Sequence, residues 1–127
     1  DFQLVVIPSM RTPLSTIHYA KEFFGENHTI IMDVDKKAYL SALAISENIV
    51  VTCDSSSMIS EAALTGKPIY VANILPKKND KRFQRFRNLF RELNITRNLG
   101  EEVEIWNYEK LDETNRVAKL IKEKIQL

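Results

Sequence analysis

The stretch from residue 48 to residue 72 sets the tightest limits on how this chain can fold. It opens on a β-branched run, Asn48-Ile49-Val50-Val51-Thr52, which reads as a strand buried on both faces. The run breaks at Asp54-Ser55-Ser56-Ser57, residues whose side-chain oxygens bond nearby backbone N–H groups and so favour caps and turns. A largely apolar helix follows and closes at Thr65-Gly66, with glycine where a left-handed cap is wanted. Pro68 then opens a second apolar run, Ile69-Tyr70-Val71-Ala72. Strand, loop, helix and strand in this order make one unit of a parallel sheet. The loop lies at the carboxyl end of a strand, where open α/β sheets bind ligands. Free N–H groups and the helix dipole favour an anion there.

The rest of the chain repeats the alternation. Strands are expected near residues 2–7, 28–33, 48–52 and 69–73, and helices near 13–24, 37–46, 56–65, 78–94 and 112–125. The pattern predicts an α/β fold, a Rossmann-like parallel sheet flanked by helices, as one domain over residues 1–127. Thr12 followed by Pro13 reads as a cap and a first helical position. The helix after it places Ile17, Ala20, Phe23 and Phe24 on one side and stops at Gly25. Arg11 therefore falls in a second strand-to-helix loop. A cation there suits a phosphate, and it is equally at home as a solvated loop residue.

Composition narrows the classes. The chain of 127 residues is 44% hydrophobic and 28% charged, which suits a globular core. A formal charge of +1 gives no global pull towards nucleic acid or a membrane, so any electrostatic role is local. A single cysteine leaves no internal disulfide, and no apolar run approaches the length of a transmembrane segment. The chain opens directly in a strand-like run, Phe2-Gln3-Leu4-Val5-Val6-Ile7, with no leader before it. It therefore reads as a piece of a longer protein, with an apolar edge near that strand that the remainder covers.

Few residues outside the Ser loop invite chemistry. Asp33 and Asp35 follow a strand and read as a helix cap, so no metal is assigned. His18 and His28 lack partners at ligand spacing and read as structural. Cys53, at a strand end, reads as a small buried side chain. The segment 77–93 is strongly basic and amphipathic, with Phe83, Phe86, Phe90 and Leu93 on its buried face. Lys77, Lys78, Lys81, Arg82, Arg85, Arg87 and Arg91 form a solvated face or a surface for a membrane or an acidic partner. Arg82 differs, because at about 100° per residue it borders the apolar stripe. A guanidinium there needs an anion, either a carboxylate of the fold or a phosphate. The acidic cluster Glu101-Glu102-Val103-Glu104 is placed to offset the basic segment, and Val117, Leu120, Ile121 and Ile125 form the apolar side of the last helix.

Two resemblances add to this reading. Ser60-Glu61 followed by Gly66 and Pro68 resembles the nucleotide-sugar motif in the second domain of two-domain GT-B glycosyltransferases and related epimerases. In those enzymes a glutamate at the place of Glu61 holds the ribose hydroxyls. The spacing alone fits equally an ordinary capped helix with a solvated glutamate. The blocks Ser9-Met10-Arg11-Thr12-Pro13, the run 51–62, Thr65-Gly66-Lys67-Pro68, Arg82-Phe83 with Phe86, Thr96-Arg97, and Trp106-Asn107-Tyr108 with Leu111-Asp112-Glu113-Thr114 occur in that order. Together they resemble the carboxyl-terminal half of the mitochondrial-fission Elm (elongated mitochondria) family, over nearly the whole chain.

The resemblance implies the donor-binding half of a GT-B-type glycosyltransferase of unassigned substrate. Glu61 would hold the ribose, and Ser55, Ser56, Ser57 and Met58 at the helix amino end would take the diphosphate, with Arg11 or Arg82 as counter-charge. It implies a nucleotide-sugar ligand, no cofactor, and an amino-terminal domain that carries the acceptor side and the usual catalytic base. The piece alone should therefore not turn over. Two departures from the family pattern stand out: Met10-Arg11 replaces a pair of arginines, and Lys36-Lys37-Ala38 replaces an Asn-Pro pair before Tyr39. The plant member of the family promotes mitochondrial division, which leaves open a non-catalytic interaction module that recruits a dynamin-related GTPase through segment 77–93 and the Glu101-Glu102 loop. A nucleotide-sugar epimerase-like domain is a further alternative. The implied compartment is the bacterial cytoplasm, or the cytosolic face of mitochondria.

Overall fold

The computed structural model describes residues 2–74, 81–110 and 112–125. It divides into two compact units, Asp1–Ser46 and Glu47–Leu127. Both are α/β, and every strand pairing among the described residues is parallel.

In the first unit, β1 (Val5–Val6) pairs in parallel with β2 (Thr29–Ile30) across α1 (Leu14–Phe24), and α2 (Lys36–Ile45) follows. The strands are shorter than the sequence runs, and the ladder is extended by the Leu4 carbonyl, which accepts from Thr29 N–H at 3.0 Å. Helix α1 begins one residue later than expected. Pro13 is its N-cap, and Thr12 turns its hydroxyl back to accept from Ser9 N–H at 2.9 Å. Gly25 ends α1 at φ 62, the left-handed region that glycine reaches without steric cost. Ala20 is buried and Ile17 and Phe24 are half-buried, whereas Phe23 is exposed and stacks on Tyr19 at 5.7 Å. Asp35 caps α2 by accepting from Ala38 N–H at 3.1 Å, the role expected of that acidic loop. His28 is structural too: its Nδ1 accepts from Leu4 N–H at 3.2 Å, and its ring lies edge-on to Phe24.

In the second unit, β3 (Ile49–Thr52), β4 (Ile69–Ala72) and β5 (Thr96–Asn98) form a parallel sheet in the order β3-β4-β5. Helix α3 (Ser56–Ala63) crosses from β3 to β4, and α4 (Lys81–Glu92) from β4 to β5; α5 (Glu113–Ile125) comes last. The core gathers Ile49 and Val51 of β3, Ile69 and Val71 of β4, Ile59, Ala62 and Ala63 of α3, and Phe90 and Ile95. Full burial of an isoleucine such as Ile59 or Ile69 contributes about 1.5–3 kcal/mol.

Two expectations are corrected here, on β3 and on α4, and one strand is added. Strand β3 is not buried on both faces: Val50 is 52% exposed and Thr52 is also exposed, so the face they share is uncovered on this edge strand, while Ile49 and Val51 on the other face are buried. Two-sided burial belongs to the middle strand, where consecutive Ile69, Tyr70 and Val71 are all buried. Strand β5 was not anticipated, and Asn94 at φ 59 makes the turn that delivers it. Along α4 only Phe90 is buried; Phe86 is half-buried, and Phe83 and Leu93 are exposed. The start of the basic segment, residues 77–80, lies outside the described residues. The apolar stripe of α5 is exposed at Val117, Leu120, Ile121 and Ile125.

A segment without regular structure straps this sheet. The Tyr70 hydroxyl donates to the Glu104 carbonyl at 2.9 Å and accepts from the Glu104 N–H. Trp106 is buried edge-on against Tyr70, with ring centroids 5.2 Å apart, and its Nε1 donates to the Asn94 carbonyl at 2.9 Å. The Arg97 guanidinium covers the outer face of Trp106 at 4.2 Å and pairs with Glu104. Glu104 thus neutralises a cation of β5 and not one of α4.

Candidate functional site

The loop after β3 is built as the sequence suggests, with one difference. Ser55 is the N-cap of α3 and is buried, yet its side chain makes no capping bond; its backbone turns instead, donating from N–H to the Thr52 carbonyl at 3.1 Å. The first-turn N–H groups of α3 therefore carry no side-chain cap and keep their capacity for an outside acceptor. Cys53 lies beneath the loop, buried, its sulfur accepting from Ile74 N–H at 3.4 Å.

Helix α4 runs past this amino end, and the two helices enclose an open groove of about 290 Å³. Its walls are Ser56, Ser57 and Ser60 from α3 and Arg82, Phe83 and Phe86 from α4. The hydroxyls of the three serines have no hydrogen-bond partner among the described residues. Nor has the Arg82 guanidinium, whose need for an anion no carboxylate among the described residues meets. An aromatic pair thus faces polar hydroxyls and an unpaired cation beside a helix amino end. Such a groove suits a ligand with a flat apolar part and an anionic part.

The structure brings Ser56, Ser57 and Arg82 together and places the other candidates around or away from them. Met58 is half-buried on α3, and Glu61 is exposed one residue beyond Ser60. Arg11 belongs to the first unit, exposed on the turn that Ser9 and Thr12 close. Ser60, Phe83 and Phe86 were not anticipated as site residues. Ser60 sits within the motif that singled out Glu61, and the phenylalanines were assigned to a buried face. Among the described residues no group of three or more His, Cys, Asp or Glu could hold a metal ion, and no helix is long and apolar enough to cross a membrane.

The family described as mitochondrial fission ELM1 matches residues 1–125. An uncharacterized protein of Rickettsia prowazekii (strain Madrid E), RP120, is 35% identical over 102 residues, which cover 74% of this chain and 28% of that protein. Mitochondrial fission protein ELM1 of Arabidopsis thaliana is 30% identical over 122 residues, which cover 92% of this chain and 28% of that protein. The chain thus spans under a third of the length of these relatives. No solved structure matches it.

Proposed function

The chain belongs to the mitochondrial fission ELM1 family, and from that premise we propose that it is the nucleotide-sugar-binding half of a GT-B-type glycosyltransferase. The observation that carries the proposal is the Arg82 guanidinium, without a partner among the described residues, lining one groove with Ser56 and Ser57 at the amino end of α3. A diphosphate laid there meets uncapped N–H groups, two hydroxyls and one fixed positive charge. Glu61, one residue past the groove on the same helix, accepts two hydrogen bonds from the vicinal ribose hydroxyls. In sugar transfer the leaving nucleoside diphosphate gains negative charge as the glycosidic bond breaks. Arg82 and the helix amino end would stabilise that charge, a contribution that grows in the transition state. The acceptor site and the base belong, in this proposal, to the rest of the protein.

Calorimetry on the full-length protein with uridine and guanosine diphosphates tests the reading. Arg82→Gln and Glu61→Gln each remove one charge-assisted contact worth roughly 1.5–3 kcal/mol. Each should therefore weaken binding by about one to two decades. Unchanged affinity in a variant removes that residue from the site, and no binding of either nucleotide to the wild-type protein overturns the proposal.

A further inference from the structure

We infer that Phe83 is the stacking platform for the base of the nucleotide, so that the groove reads a nucleoside diphosphate from ring to phosphate along one turn of α4; this deepens the diphosphate reading above and rests on it. Phe83 is 45% exposed on the wall of the groove, whereas Phe90, two turns further along α4, is buried. A phenylalanine ring left that open, next in sequence to a guanidinium with no partner among the described residues, leaves apolar area in water that a flat ring would cover. Phe86, which lines the same groove, packs on the buried Phe90, ring centroids 4.4 Å apart, so that part of the lining is anchored in the core. Both aromatic residues of the lining are carried by the helix α4 itself.

The two ends of the ligand then have separate determinants. Arg82, Ser56 and Ser57 take the phosphates, and Phe83 takes the base through its face, with no hydrogen bond to distinguish one base from another. Recognition through a π-face tolerates every base and favours the larger purine ring. The groove would therefore accept both purine and pyrimidine nucleotides, with a modest preference for purines.

The test compares ligands that share the anion and differ in the ring. Full-length wild-type protein, Phe83→Leu and Arg82→Gln are titrated by calorimetry with guanosine diphosphate, uridine diphosphate and inorganic pyrophosphate. Wild type should bind guanosine diphosphate about tenfold or more tightly than pyrophosphate. Phe83→Leu should lose most of that advantage while its pyrophosphate affinity stays within about twofold of wild type, and circular dichroism confirms that the exposed substitution leaves the fold intact. Arg82→Gln should weaken all three ligands together. Nucleotide binding that Phe83→Leu leaves unchanged overturns the platform while the diphosphate reading stands. Failure of wild type to bind pyrophosphate or either nucleotide overturns both.

Discussion

Arg87 of α4 donates from Nη1 to the carbonyl of Cys53 at 2.9 Å, tying the helix to the end of β3 where the Ser loop begins. This bond fastens α4 to the start of the Ser loop, beside the groove that α3 and α4 line. Arg87 is half-buried, and a charged donor to a carbonyl in that position contributes roughly 1.5–3 kcal/mol. Arg87→Met keeps the apolar stem and removes the donors. The urea midpoint should fall by an amount equivalent to about 1–3 kcal/mol, with the m-value unchanged. An unaltered midpoint would show that the Cys53 carbonyl is satisfied as well by water.

What was legible in the sequence, and what was not, divides along physical lines. Helices α1 and α3 were visible because their apolar spacing and their closing glycines, Gly25 and Gly66, are local signals. The Ser loop was visible because turn residues interrupt a β-branched run. The two-sided burial expected of β3 does not hold, since an apolar run says nothing about which of a strand's faces another layer covers; Val50 is as apolar as Val51 and faces out. Strand β5 was hidden because Thr96-Arg97-Asn98 is short and polar, and its pairing to β4 is a long-range fact. Trp106 and its strap were equally non-local. Arg82 was singled out as a cation beside an apolar stripe, and the groove shows what that position faces. Arg87 looked like one more solvated cation among several, and only the packing of α4 on the end of β3 distinguishes it.

Gly66 carries two constraints at once. Its φ of 73 is a conformation that residues with a Cβ adopt at a cost, and a Cβ built there would stand 2.8 Å from Lys110 Cε. The two are separable. The lysine stem is exposed and flexible and can swing aside, whereas the backbone angle is fixed by the turn from α3 into β4. Gly66→Ala should therefore cost about 1–2 kcal/mol, nearly all of it backbone strain. Adding Lys110→Ala should recover only a few tenths of a kcal/mol beyond its own effect. Recovery of most of the loss in the double variant would assign the cost to the contact instead.

The same turn supplies a pH-dependent contact. The Tyr108 hydroxyl donates to the Lys67 carbonyl at 2.6 Å, pinning the segment that follows Trp106 onto the turn before β4. Burial raises the Tyr108 pKa above its ordinary value of 10.0, and a hydrogen bond with the Thr65 side chain works against that rise. A raised pKa means the folded state holds the phenolic proton at a pH where the unfolded chain has begun to lose it. Unfolding then releases a proton, and stability falls as pH rises. The contribution is complete below pH 10.0 and disappears as pH climbs through the folded-state pKa. Tyr108→Phe removes both the donor and the titration. At neutral pH it should cost about 0.5–1.5 kcal/mol. Denaturant midpoints collected from pH 8 upward should then converge, the wild type losing its advantage over Tyr108→Phe as the alkaline limit is approached. The remaining tyrosines are common to both proteins and cancel in the difference. Curves that stay parallel through the alkaline range would show that Tyr108 titrates alike in the folded and unfolded chains.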